Sequence, residues 1–300
     1  MLDESLLAAI AAVAREGSFE RAARVLHVTP SAVSQRVRLL EERIGAALIV
    51  RGQPCVPTEI GGRLCRHAAL VSVLEAELRR ELPMVPQEPT DVLRANLRIA
   101  VNADSLATWF VDAMKDFGRE NATLLSLTLD DEDQTAAWLR RGHVLAAVTS
   151  LRAPVQGCRS RRLGVLRYVA TASPDFVRRW FNAGVTADAL TQAPSLVFDR
   201  NDKLESHWAR RQVGRDVQLP AHRLPSARAF VDAALAGVGW ALNPLALVES
   251  HLKSGTLVQL IADTPVDVPL HWQVTRLEVP VLEQLTRSVV RAAAASLEPG

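Results

Sequence analysis

The stretch Gly17 to Gly45, GSFERAARVLHVTPSAVSQRVRLLEERIG, decides the reading of this chain. It predicts two helices joined by a short turn, His27-Val28-Thr29. Ser18 is placed to cap the first, with Glu20 in the first turn, where the helix dipole favours an acid. Thr29 and Pro30 restart the chain as cap and first helical residue. Ala22 and Ala23 are small where the first helix must approach the second. Val33, Val37, Leu40 and Ile44 mark a buried stripe. Ser31, Ser34, Gln35 and Arg38 recur at i, i+3, i+4 and i+7 on another face. A second helix of this kind can lie in a DNA major groove while the first crosses the backbone. Gln and Arg reach purine edges with paired hydrogen bonds, and Ser suits bases or phosphates. Thr29, Ser31, Ser34, Gln35, Arg36 and Arg38 are therefore the candidate DNA contacts. The bland alternative is a helical hairpin with a solvated polar face; turn length, capping and small-residue placement speak against it.

The flanks agree. Leu6, Leu7, Ile10, Val13 and Ala14 share one face of a preceding helix, which Gly17 stops. Downstream, Leu48 to Arg51 and Val56 to Thr58 read as a small hairpin, or wing, around Gly52-Gln53-Pro54. Arg51 at its tip is placed to enter a minor groove. Between residues 24 and 51 stand Arg24, Arg36, Arg38, Arg43 and Arg51 against Glu41 and Glu42. This patch is basic although the whole chain carries 35 basic and 33 acidic residues, net +2. Nucleic-acid contact must therefore come from the patch and not from bulk charge.

A long helix is expected from about Thr58 to Leu82. Ile60, Leu64, His67, Val71, Leu74 and Leu78 recur at coiled-coil spacing. At ~25 residues it would be ~37 Å long, which suits a dimer rod better than a helix packed on its own domain. Ile60, Leu64, Val71, Leu74 and Leu78 are the candidate dimer contacts. PMVPQEPT, residues 83–90, is the clearest linker.

From Leu93 the pattern alternates between strands and helices. Strands are expected at Leu97–Val101, Thr123–Leu129, Val144–Thr149, Leu163–Ala170, Ser195–Phe198, Trp240–Leu242, Thr256–Leu260 and His271–Thr275. Helices between them include Ser105–Phe117, Glu132–Arg141, Leu204–Gln212, Ala227–Ala236 and Pro280–Ala295. Alternation of this kind argues for α/β units, and some 200 residues leave room for two lobes around a cleft. The expected class is α plus α/β: a winged helix-turn-helix over 1–60, a dimerisation helix and linker over 61–90, and an effector-binding domain of two α/β lobes over 91–300.

Other classes find little support. Apolar residues are 48%, enough for a sizeable core. Cys55, Cys65 and Cys158 form no C-x-x-C pair and suggest reduced thiols. Acids precede the first apolar run, the wrong order for a signal peptide. Phe230 to Val248 contains Asp232, Gly237, Gly239, Asn243 and Pro244, so it reads as two short buried elements and not as a membrane span. A cytoplasmic protein is expected. No P-loop, G-x-S-x-G, G-x-G-x-x-G or H-E-x-x-H occurs, and the seven His show no metal-ligand spacing. Neither an enzyme nor a cofactor or metal is expected.

A small molecule should bind where strand ends meet helix starts. The turn Asn102-Ala103-Asp104-Ser105 follows the first strand of the α/β region. Its free N–H groups suit a carboxylate, and Ser105 could donate a further bond. Asp104 could cap the helix or accept an ammonium or guanidinium. Asp130-Asp131-Glu132-Asp133 follows the next strand, either as a cation-attracting cluster or as a solvated helix start.

The run Ser18-Phe19, Ala22-Ala23, Leu26, Ser31-Ala32-Val33-Ser34, Leu40-Glu41 and Gly45 resembles the winged helix-turn-helix of LysR-type transcriptional regulators. The similarity continues through the long helix and the α/β region, which in that family resembles a periplasmic binding protein. Val101 to Trp109, VNADSLATW, and Leu139-Arg140-Arg141-Gly142 look like the ArgP (LysG) branch. The resemblance implies double-stranded DNA as partner and lysine or arginine as effector, with control of a basic amino-acid exporter gene. It implies a pocket of Asn102, Asp104, Ser105 and Asp130 that Thr149, Asp199 and Ser226 also line. It further implies homodimers that pair as homotetramers, with RNA polymerase as a further partner.

Overall fold

The computed structural model describes residues 3–82, 96–130, 135–276 and 279–299. The Pro-rich linker and Asp131 to Asp133 lie outside the described residues, and so does the side chain of Asp130. By compactness the chain divides into two units. The first holds Met1–Val101, Asp116–Arg161 and Trp272–Arg287; the second holds Asn102–Lys115, Arg162–His271 and Ser288–Gly300.

The first unit opens with α1 (Glu4–Glu16), α2 (Phe19–Val25) and α3 (Pro30–Ile44). Each start is chemically marked. Ser18 accepts from the Arg21 N–H at 3.3 Å and Thr29 from the Ala32 N–H at 3.2 Å. Gly17 and Gly45 end α1 and α3 in the left-handed region, at φ 66° and 75°. Ala22, Ala23, Val33, Val37 and Leu40 are buried together with Ile10 and Val13. Ile44 is not: it is exposed at the end of α3, beyond the reach of that core. β1 (Ile49–Val50) and β2 (Val56–Pro57) pair antiparallel as the wing.

α4 (Glu59–Glu81) follows, capped by Thr58. The expected seam is only part of its apolar surface. Cys65, Leu70 and Val73 are buried, and Leu64 packs on the winged-helix core. Ile60, Leu74 and Leu78 remain 42%, 47% and 55% exposed.

The α/β part of the first unit docks on this helix. It comprises α6 (Phe110–Glu120, from Asp116 on), β4 (Leu124–Asp130), α7 (Thr135–Arg140), β5 (Ala146–Thr149), and β3 (Asn96–Asn102) up to Val101. Gly142, at φ 70°, lies so close to α4 that a Cβ there would land on the Gly62 carbonyl oxygen. Beside it, the Arg66 guanidinium donates to the Gln156 carbonyl at 3.1 Å and to the Cys158 sulfur at 3.8 Å. Arg63 donates to the Gln156 side chain at 2.7 Å. His143 packs edge-on against Trp138. Burial, with Arg98 and Arg141 nearby, pushes its imidazole down to about 4, so it is neutral at pH 7.

Strand order in the first unit is β11-β5-β3-β4, where β11 is Val266–Thr275. β3 and β5 run parallel, with Ile99 opposite Ala146. Gln273 on β11 is fully buried and ties down the loop after β5: it accepts from the Val155 N–H and donates to the Leu151 and Ala153 carbonyls.

The second unit takes α5 (Ala103–Thr108) and most of β6 (Cys158–Ala172), a longer strand than expected. Then come α8 (Pro174–Trp180), α9 (Ala187–Gln192), β7 (Ser195–Val197), α10 (Leu204–Val213), β8 (Ala221–Arg223) and α11 (Ala227–Leu235). β9 (Ala241–Pro244), α12 (Leu245–Ser254), β10 (Val258–Gln259) and the end of α13 (Pro280–Ser296) complete it. Its strand order is β10-β6-β11, with β9 antiparallel on β6 so that Tyr168 faces Pro244. Apolar residues of α11 and α12 cover one face of this sheet around Val169 and Ala241. No helix among the described residues is long and apolar enough to cross a membrane.

Candidate functional site

Two regions carry function-bearing side chains. In the first, α3 turns Ser31, Gln35 and Arg38 to solvent, with Ser34 and Arg36 half-buried beside them. The Thr29 hydroxyl accepts in its cap and also meets the Ser31 hydroxyl at 3.0 Å. The turn needs His27 at φ 52°, a left-handed conformation unusual for a residue with a side chain. Arg38 pairs with Glu42 at 2.9 Å. Such an exposed pair is worth ~0.3–0.5 kcal/mol, less than the ~1–3 kcal/mol of a good base contact, so it does not hold Arg38 back from a duplex. Glu41, by contrast, is structural: its carboxylate accepts from the Leu48 N–H at 2.8 Å and the Ile49 N–H at 3.4 Å. This anchors the start of the wing to the end of α3. The Arg51 guanidinium lies 5.4 Å from the Phe19 ring centre.

The second region lies at the start of α5. Asn102 occupies the cap position of that helix but makes no capping bond. It is 1% exposed, and neither amide atom finds a partner among the described residues. The Ser105 hydroxyl, fully buried, is also unpartnered. Unpaired buried polar groups cost ~1–3 kcal/mol each, so they persist where something else rewards them. Asp104 does not cap the helix either: its Oδ2 accepts from the Tyr168 hydroxyl at 2.7 Å. Burial pushes its carboxyl up to about 6, against the Tyr168 bond, with Asp202 adding to the rise. Asp104 still keeps some solvent exposure. No described Lys, Arg or His pairs with Asp104, Asp202 or Glu205. The arrangement offers N–H and O–H donors to an anion and a carboxylate to a cation.

The remaining expected residues make local bonds. Thr149, in the first unit, accepts from the Leu151 N–H at 3.1 Å. Asp199 accepts from the Asn201 and Asp202 N–H groups in a tight turn. Ser226 caps α11 through the Ala229 N–H. Asp130 ends β4. Sequence reasoning missed Tyr168 and Glu205. Tyr168 is the sole tyrosine of the chain, a signal that went unused. Glu205 sits in the first turn of α10, where an acid reads as a dipole complement.

Residues 5–62 match the bacterial regulatory helix-turn-helix model of the lysR family, and residues 90–294 match the LysR substrate binding domain. The chain belongs to the LysR family. As a LysR-type regulator it is 42% identical to the HTH-type transcriptional regulator ArgP of Pseudomonas fluorescens (strain Pf0-1), over 100% of this chain and 99% of that protein. The crystal structure of ArgP from Mycobacterium tuberculosis matches with TM-score 0.83 at 41% identity, covering 100% of both chains. Full-length LysG from Corynebacterium glutamicum with bound effector Arg matches with TM-score 0.75 at 35% identity, over 99% of this chain and 100% of that one. The LysR resemblance, the winged helix and the ArgP/LysG kinship expected from sequence are therefore established, and no described group of His, Cys, Asp and Glu forms a metal cluster.

Proposed function

We propose that this LysR-type regulator senses a basic amino acid, L-arginine or L-lysine, and controls a basic amino-acid exporter gene. The observation that carries the effector reading is the nearness in sequence of Asn102 and Ser105, unpartnered among the described residues, to Asp104, a carboxylate that no described cation pairs. Asn102 and Ser105 would take the effector's carboxylate and Asp104 its side-chain cation; Asp199 and Ser226 of the same unit complete the proposed lining. A relative with bound effector Arg supports this choice of ligand. The protein works by binding and not by turnover, in the cytoplasm.

DNA reading is assigned to Thr29, Ser31, Ser34, Gln35, Arg36, Arg38 and Arg51. Dimers form on α4 through Ile60, Leu64, Val71, Leu74 and Leu78, placing two recognition helices on a pseudo-palindrome. The proposed assembly is a homodimer or a homotetramer made of paired dimers, with RNA polymerase as a further proposed partner. Calorimetry with both amino acids tests the effector. Saturable binding that Asp104→Ala weakens at least tenfold is expected. No heat with either, or unchanged affinity in Asp104→Ala, would point to a LysR-type regulator with another effector and target set.

A further inference from the structure

Asp104 is held at two points, both by residues of the second unit. Its carbonyl accepts from the Thr108 hydroxyl at 2.6 Å, which ties the backbone of the turn to the end of α5. Its Oδ2 accepts from the Tyr168 hydroxyl at 2.7 Å. Tyr168 is 1% exposed, on β6. The antiparallel pairing of β6 with β9 fixes its backbone, with Tyr168 opposite Pro244 and Val169 opposite Asn243. A ring buried on a paired strand cannot follow the carboxylate if it turns. The two oxygens of Asp104 are therefore not equivalent. Oδ2 is engaged from β6, whereas Oδ1 accepts from no described residue, and the side chain keeps some solvent exposure.

A carboxylate free to turn treats the two basic side chains differently. A guanidinium is a planar fork whose parallel N–H groups take both oxygens at once; an ammonium is a compact point charge that needs one oxygen. The fork is met only when the carboxylate lies in its plane. Oδ2 keeps a second lone pair, but the Tyr168 bond fixes the carboxylate plane and draws on the charge of that oxygen.

Resting on the reading of Asp104 as the contact for the effector's cation, we propose that Tyr168 determines specificity there: by holding Oδ2 it makes Asp104 a one-oxygen acceptor, which takes the ammonium of lysine as well as the guanidinium of arginine. Tyr168 need not touch the effector; it acts through Asp104 and is a positioning residue. Removing its hydroxyl frees the carboxylate to turn and returns Oδ2 to the pocket. Arginine then gains a second charge-assisted bond, for which lysine has no matching fork. One net hydrogen bond of this kind corresponds to about tenfold in affinity. The Tyr168 bond also opposes the burial that raises the Asp104 carboxyl. That contribution is common to both effectors and cancels from the ratio of their affinities.

The test is titration calorimetry of the full chain with L-lysine and with L-arginine, on the wild type and on Tyr168→Phe, which removes the hydroxyl and keeps the ring. The wild type should favour arginine over lysine by less than about tenfold, one hydrogen bond's worth. In Tyr168→Phe the ratio of arginine to lysine affinity should rise about tenfold above the wild-type ratio. A wild type that favours arginine by much more would overturn the proposal without any variant having to fold. Affinity lost or gained equally for both ligands in Tyr168→Phe would overturn it as well, since a merely structural tyrosine moves both alike. If neither amino acid gives saturable heat with the wild type, the effector reading falls and the role of Tyr168 with it. Saturable binding whose ratio Tyr168→Phe leaves unmoved removes the role of Tyr168 alone.

Discussion

Gly142→Ala is the sharpest test of how α4 is held. Two costs add at this position. A side chain at φ 70° pays the left-handed penalty of ~1–2 kcal/mol. The new Cβ would also meet the Gly62 carbonyl oxygen, and a backbone atom cannot rotate aside. Forcing such a contact open costs ~1–3 kcal/mol as overpacking does elsewhere, giving ~2–5 kcal/mol in all. Gly45→Ala is the matched control: its φ is 75°, but nothing lies within 4 Å of the added Cβ, so only the first cost applies. Thermal unfolding by calorimetry should place Gly142→Ala several degrees below Gly45→Ala, at ~2–4 °C per kcal/mol for a unit of this size. Opening the contact should also expose Cys158, which is fully buried beside Arg66, to a maleimide reagent. Equal melting temperatures and an unreactive thiol would refute the close approach.

Other outcomes follow from the same geometry. Gln35→Ala and Arg38→Ala should each cost ~1–3 kcal/mol on a specific duplex and much less on random DNA, measured at fixed salt; equal losses on both would make them phosphate contacts. Val71→Asp should weaken self-association on sedimentation, because a charge in an apolar seam is desolvated; an unchanged profile would refute the α4 dimer. Asp104→Asn should stabilise the effector-free protein at pH 7.5. The folded-state value lies above the unfolded one, so the stability from this group is present at low pH and lost as pH rises through about 6. The ionised form costs roughly 2 kcal/mol after discounting for partial exposure. The gain in melting temperature should therefore shrink to nothing near pH 4, and a gain of equal size at both pH values would exclude an ionisation effect.

What the sequence revealed was local chemistry. The caps at Ser18 and Thr29, the left-handed glycines at 17 and 45, and the Val33, Val37 and Leu40 stripe depend on neighbours within a few residues. Ile44 failed because periodicity continues past the point where the partner helices end. The docking of Gly62, Arg63 and Arg66 was invisible because its partners, Arg141, Gly142, Gln156 and Cys158, come some eighty to ninety residues later. On a helix wheel an arginine and a glycine read as surface. The pocket was half legible for the same reason. Asn102, Asp104 and Ser105 announce themselves as one turn after a strand, whereas Tyr168 reaches it from β6, across 64 positions of chain. Asp199 and Ser226 also bond their own backbone, a local role that the sequence pattern does not separate from a place in the lining.

The hydroxyl that Asp104 holds belongs to the single tyrosine of the chain. Isotope labelling of tyrosine alone would therefore give one ring resonance from the whole molecule. That lone signal would track occupancy and ionisation around Asp104 directly, with no dye attached and no residue replaced.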